Sequence, residues 1–323
     1  MHEYIIKRLL LFVPTLVGCS LLVFFVMQIV PADYVDAVFA FEVSGTPAER
    51  EESLARLRAE FGLDKPAIVQ YWRWVSGFFT GNCAESLMAR RSVCTILKER
   101  VVPTAEIALG AIVLLVLWAV PVGILSAVRQ NSFADYTARI LSIALLSIPA
   151  FWLAILILLA LLNITGSGPP LGYVHLWDDP LTNLSKMMWP ILVLALHDGA
   201  PIARITRSQM LEVIRSDYIR TARAKGLAEG AVLIRHALRN ALIPVLTFSG
   251  WRLAGLLGGT VIVEFVFNVP GIGSAIYLAI GARDYIMLGS LVLFITLVFL
   301  ILNLVVDILY SVIDPRIRYG SAT

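Results

Sequence analysis

This chain has few of the residues from which soluble active sites are assembled. Of its 323 residues only three are Cys and four are His, and His2, His175, His197 and His236 are scattered without metalloprotease spacing. There is no Gly-x-x-x-x-Gly-Lys-Ser/Thr phosphate loop, so ATP hydrolysis by that route is not expected on this chain. A Gly-x-Ser-x-Gly elbow and a zinc-spaced Cys set are missing as well. Charge is scarce too: 15% of residues are Asp, Glu, Lys or Arg, 59% are hydrophobic, and the mean hydropathy is +0.82. That balance excludes an ordinary soluble domain, offers nothing to nucleic acid, and puts the chain in a lipid bilayer.

Uncharged apolar runs near or above bilayer length occur at residues 9–31, 107–128, 140–164 and 285–306. Two further runs, 187–203 with His197 and Asp198 and 241–263 with Arg252, are apolar enough to span but carry an ionisable interruption. The expectation is an all-α protein of six transmembrane helices. Lys7 and Arg8 precede span one, Arg129 and Arg139 flank the link between spans two and three, and Arg316 and Arg318 follow span six. Between spans four and five lie Arg204, Arg207, Arg215, Arg220, Arg223, Lys225, Arg235 and Arg239, whereas the short links on the other side hold only Lys186 and Arg283. Both termini are therefore expected in the cytoplasm; the basic residues of the long 32–100 loop weigh little in that rule.

The first apolar run exceeds a signal-peptide core and has no small-residue cleavage site after it, so it reads as an uncleaved span. Cys19 falls inside it. Cys83 and Cys94 fall in the external loop, where a disulfide and two separate thiols are equally compatible with the sequence. Within that loop Thr46-Pro47-Ala48-Glu49 has capping-box chemistry, followed by Leu54, Leu57 and Phe61 at helical spacing and Gly62 as a stop. Residues 68–79 bring Tyr71, Trp72, Trp74, Phe78 and Phe79 together, as in a helix at the outer interface. Such a loop serves either as a cap or landing surface over the external mouth or as a packing subdomain.

The basic link between spans four and five has internal order. Ser216 or Asp217 is placed to cap a helix beginning near Tyr218, Gly226 to end it in the left-handed conformation, and a second helix to run from about 229 to 240 before Pro244. The result is helix, bend, helix, with Ala222 and Ala224 at the tip: a rigid element shaped for a groove on a soluble partner. Its alternative reading is a basic loop resting on anionic lipid.

Arg220-Thr221-Ala222-Arg223-Ala224-Lys225-Gly226-Leu227 and Arg235-His236-Ala237-Leu238-Arg239-Asn240-Ala241 resemble the coupling segment of ATP-binding-cassette importer permeases, in the branch that moves dipeptides, oligopeptides and nickel. Against the general Glu-Ala-Ala pattern of such permeases only Ala222, Gly226 and Leu238 match; the remaining wording is similar to the branch's own version. Residues 255–273, from Gly255 through Glu264 to Gly273, are similar to its span-five signature, and Asp307-Ile308-Leu309-Tyr310 with Asp314 to Arg318 to its C-terminal ending. The resemblance implies a type-1 importer permease fold over 103–310, an N-terminal addition of one span and a long helical external loop over 1–102, and a cytoplasmic tail over 311–323. It also implies a bacterial inner-membrane location, a second permease subunit, two cytoplasmic ATPases carrying ATP-Mg and an extracytoplasmic binding protein. No cofactor or metal is expected on this chain, and ATP hydrolysis belongs to the partners. ATPase coupling falls to Arg220, Thr221, Ala222, Ala224, Gly226 and Leu238.

Ionisable groups at membrane depth point to a cavity or a partner. Glu264, near the external end of span five, is the first candidate for the translocation path, with His197, Asp198 and Arg252 behind it; an Asp198–Arg252 ion pair is expected. Gly255 and Gly259 have small-residue spacing suited to close helix packing. The competing class is an ion-gradient carrier using Asp198, Glu264 and Asp307, although no repeat between the two halves supports it.

Overall fold

The computed structural model describes residues 2–29, 62–86, 88–168 and 170–313, with a few single positions between 49 and 59. The expected capping box at 46–49 and the C-terminal motif at 314–318 fall mostly or wholly outside the described residues. Helix α1 runs His2–Ile29 and α2 Ala67–Thr80, the latter ended by Gly81 in the left-handed conformation. A two-stranded antiparallel hairpin, β1 Glu85–Ser86 with β2 Arg91–Ser92, pairs Glu85 with Ser92. A Cys83–Cys94 disulfide brackets it, resolving the alternative left open by the sequence. Then come α3 Val93–Val128, α4 Phe133–Ser147, α5 Ala150–Thr165 and α6 Pro180–Ile214. After α7 Asp217–Ala224, one turn of α8 Glu229–Ala231 enters a π-helix, Val232–Leu238, which continues into α9 Arg239–Val266. Helices α10 Ile272–Gly281 and α11 Tyr285–Ile313 complete the described residues.

Among the described residues three helices are long and apolar enough to cross a bilayer: α1 through residues 8–29, α3, and α11 through 285–308. The total is five if the bent pair α4–α5 and the bent stretch 229–250 each count once. The apolar part of α1, 22 residues, spans about 33 Å at 1.5 Å per residue, which matches the hydrocarbon core. The fourth expected span lies within α6.

Two expectations about helix continuity are corrected. Residues 140–164 do not form one helix: the chain bends by 107° between α4 and α5. Pro149 lacks an amide hydrogen and drives Ile148 out of the helical region, to φ −91° and ψ 122°, so α4 stops there. Conversely, His197-Asp198-Gly199 does not interrupt a helix, because α6 runs through it. Gly199 is required by packing: a Cβ there would strike the indole of Trp118, whose Nε1 donates to the Ala195 carbonyl at 2.9 Å.

The centre of the fold is the pairing of α3 with α6, closed by α9. Ile107, Ala111, Leu115 and Ala119 recur every four residues on α3 and meet Met187, Val193, Leu194 and Ile202 of α6 and Leu256 and Val263 of α9. A second cluster at one end joins Val93, Ile96 and Leu97 to Ile272, Ala275, Met287 and Leu291. There buried Asp284 accepts from Ser86 Oγ at 2.6 Å and from the Met287 amide at 3.0 Å, tying the hairpin to the α10–α11 turn. A third cluster, at the opposite end of α3 and α6, supports α7. The aromatic helix α2 packs inward through Tyr71, which shares a hydrogen bond with Ser20, and through Trp74, which donates to Ser290. Trp72 and Phe79 stay exposed.

Candidate functional site

Helix α7 is held by its apolar side and presents its polar side. Ile219 and Ala222 are buried against Met210, Val232, Ala237, Ala241 and Ala127. Ala222 is thus a packing residue, which corrects its expected place at the tip; Arg220, Thr221 and Ala224 are exposed. Gly226 makes the bend with φ +78°, and a Cβ there would meet nothing within 4 Å, so glycine is required by backbone conformation alone. Arg223 closes the bend with a bidentate pair to Glu229, at 3.0 and 2.6 Å, and this contact draws the Glu229 carboxyl below its usual range. Beside it, a cleft of about 690 Å³ is lined by Tyr218, Arg235, His236, Arg239 and Asn240, among others.

The second half of the segment is not the separate helix expected at 229–240. Its π-helical hydrogen bonding widens each turn, bringing residues five apart onto one face. Val232 and Ala237 both become fully buried, and Leu238 packs beside them. The segment then enters α9 without a stop.

One link in this region has no signal strong enough to be found from the sequence. Fully buried Asp135, near the start of α4, accepts from Arg207 Nε at 2.7 Å and Nη2 at 2.8 Å, and from Ser126 Oγ. The Arg207 guanidinium, with Ser126 and the Asn131 amide, holds this carboxyl well below the ordinary carboxylate range. The folded pKa is depressed, so the stabilisation is complete above the usual Asp value near 4 and is lost as pH falls through the folded value. Asp135→Asn is expected to cost roughly 3 kcal/mol, since it leaves Arg207 largely buried without its counter-charge. Thermal unfolding in detergent should show this difference at pH 7 and a smaller one at pH 3; an unchanged midpoint at pH 7 would remove Asp135 from the account.

Within the membrane-spanning part, the expected Asp198–Arg252 pair is present at 3.1 Å, joining α6 to α9, with His197 Nδ1 at 3.7 Å from the same carboxylate oxygen. The structure separates Glu264 from them. It is fully buried where α3, α9 and α10 meet, accepting from Thr104 Oγ1 at 2.7 Å and from the Ser274 amide at 2.9 Å. Thr104 in turn accepts from the Ile272 amide at 2.8 Å. Enclosed in this way among the described residues, Glu264 anchors the 267–274 turn. The two candidate packing glycines differ: Gly259 lies against Leu194 of α6, and Gly255 is open. Among the described residues no three His, Cys, Asp or Glu gather as a metal site would need.

Residues 119–319 match the family described as binding-protein-dependent transport system inner membrane component, and residues 1–98 match the N-terminal component of such systems. A Brucella abortus chain named as a peptide transport system permease is 37% identical over 99% of this chain and its own full length. A dipeptide transport system permease of Alkalihalophilus pseudofirmus is 35% identical, and a glutathione transport system permease of Salmonella paratyphi A 36%, each over 99% of this chain and all of theirs. Among solved structures, an inward-facing methionine ABC transporter has the same fold, with a TM-score of 0.55 and 17% identity over 68% of this chain and 96% of that one. An amino acid ABC transporter follows at 0.52, over 69% and 94%.

Proposed function

Because the chain belongs to the family of binding-protein-dependent transport system inner membrane components, we propose that it lines the translocation path of a peptide importer and receives ATP-driven motion through residues 217–238. The chain is a transport permease, not a catalytic subunit. It works beside a second permease, two cytoplasmic ATPases that carry ATP-Mg, and an extracytoplasmic binding protein. The cargo is a peptide, a reading supported by the names of the full-length relatives. With family membership in hand, the ion-gradient carrier loses its support.

The observation that carries the coupling role is the build of α7: an exposed polar face on a short helix whose buried side is locked to α3, α6 and the π-helix, in one piece with α9. A soluble ATPase that grips Arg220, Thr221 and Ala224 would move spans rather than a loose loop. Leu238 and Ala222 act from beneath as the packing that makes α7 rigid. Asp198 and Arg252 link α6 to α9 close to the path, and Gly255 offers an open face on α9 for the second permease.

Both termini and α7 lie on the cytoplasmic side in this reading, on the strength of the Lys and Arg distribution. Ala228→Cys is expected to react with a membrane-impermeant thiol reagent only after the inner face is opened, and Asp64→Cys in intact spheroplasts. Both positions are exposed, and Cys83 and Cys94 are already joined. The reverse pattern would invert the topology and end the coupling assignment.

A further inference from the structure

Where the first turns of α4 face the later turns of α6, a cavity of about 490 Å³ opens, lined by Arg139, Pro201, Arg204, Ile205, Arg207 and Ser208. Arg207 is neutralised there by buried Asp135. Arg139 and Arg204 are not: both are exposed, and among the described residues neither has an acidic partner. The Arg139 guanidinium sits 5.6 Å from the centroid of the Tyr136 ring, on the helix where Phe133 and Tyr136 are themselves exposed. From the very next residue the surface turns aliphatic, with Ile140, Leu141 and Ile143 exposed by 65, 57 and 53%.

We propose that this groove binds the phosphodiester headgroup of an anionic phospholipid, with Arg139, Arg204 and the Ser208 hydroxyl on the phosphate and the acyl chains along Ile140, Leu141 and Ile143. Two uncompensated guanidinium groups and a hydroxyl offer the donors that phosphate oxygens take up. A soluble anion would use those donors equally well but leave the adjoining aliphatic surface and aromatic rings without a role. A lipid uses both halves, and a basic pocket between helices at the membrane surface is where such a headgroup sits. The lipid also gives the α4–α5 bend a function: it fills the surface that α4 leaves bare by turning away at Pro149. The orientation proposed above determines only which leaflet supplies the lipid.

The test uses the full chain stripped of lipid in a neutral detergent, titrated with dioleoylphosphatidylglycerol or dioleoylphosphatidylcholine and read by native mass spectrometry. Phosphatidylglycerol is expected to bind preferentially, and Arg139→Gln or Arg204→Gln to weaken it about fivefold each and the pair roughly thirtyfold, from about 1 kcal/mol per basic residue. Equal binding of the two lipids, or undiminished phosphatidylglycerol binding by the folded Gln pair, overturns the proposal. sn-Glycerol 3-phosphate, a phosphate without acyl chains, is expected to compete far less well than the lipid; competition at the same concentration assigns the groove to a soluble anion and overturns it too. If the Gln pair does not fold, the Lys pair decides, since it is expected to keep the preference and its loss in folded protein is contrary. Failure of the orientation is read separately, from thiol labelling at Ala228, because the micelle titration does not depend on sidedness.

Discussion

Gly226→Val is expected to abolish binding-protein-stimulated ATP hydrolysis and uptake in the assembled importer while leaving the chain inserted at normal levels. The left-handed φ of +78° at this position costs a β-branched residue about 1–3 kcal/mol. No neighbour stands within 4 Å to be displaced, so the cost is confined to the bend. The contacts that span the bend are the packing of Ala222 on Val232 and Ala237, the hydrogen bond from Asn240 Nδ2 to the Tyr218 hydroxyl and the exposed Arg223–Glu229 pair, and none of them holds the residue 226 backbone itself in the left-handed region. The backbone therefore relaxes, turning α7 relative to the π-helix and breaking the register in which Ala222 meets Val232 and Ala237. Gly226→Asn is the control, because Asn tolerates the left-handed region and should keep most of the activity. Normal uptake by the Val variant would remove the bend from the mechanism.

Gly273→Ala is expected to sharply lower both the yield and the thermal stability of the folded chain. A Cβ at this position would overlap the backbone of Val261 and press on the Glu264 carboxylate, and backbone cannot be displaced as a flexible side chain can. Overpacking of this kind costs about 1–3 kcal/mol or more, and here it also pushes a buried carboxylate off its donors. Glu264→Gln is the milder companion. Glu264→Gln keeps an oxygen for the Ser274 amide but turns an NH2 toward Thr104, whose hydroxyl loses the carboxylate it donates to and must accept a second hydrogen bond, at about 1 kcal/mol. Lower thermal stability of both variants, in the order Gly273→Ala below Glu264→Gln below the parent, supports Glu264 as an anchor. A Glu264→Gln variant of parental stability that assembles normally yet loses uptake would place it on the path.

The hydrophobic runs and the loop charges made the membrane class and helical fold readable, and the fold is that of importer permeases. The Gly226 bend was readable because one residue type at one place carries it. What escaped was set by partners distant in the chain. The 140–164 run lacks charge, which hid the consequence of Pro149 for Ile148. His197-Asp198-Gly199 was read as a break on polarity alone, whereas Trp118 needs a glycine opposite it and Arg252 supplies the counter-charge. Asp135 finds Arg207 at a separation of 72 residues, and Glu264 finds Thr104 at 160. A single sequence marks neither pair. The N-terminal capping pattern at Ser132 and Asp135 was the available local clue, and it gives no hint that Asp135 turns toward α6.

Peptide uptake by proteoliposomes tests the central claim most directly. The vesicles should hold this chain with its paired permease and ATPase subunits, with the binding protein and labelled dipeptide outside and ATP-Mg within. Accumulation is expected to require ATP and the binding protein together, to persist when proton and sodium gradients are collapsed, and to disappear with Gly226→Val. Uptake by this chain alone that follows an ion gradient and ignores ATP would contradict the account.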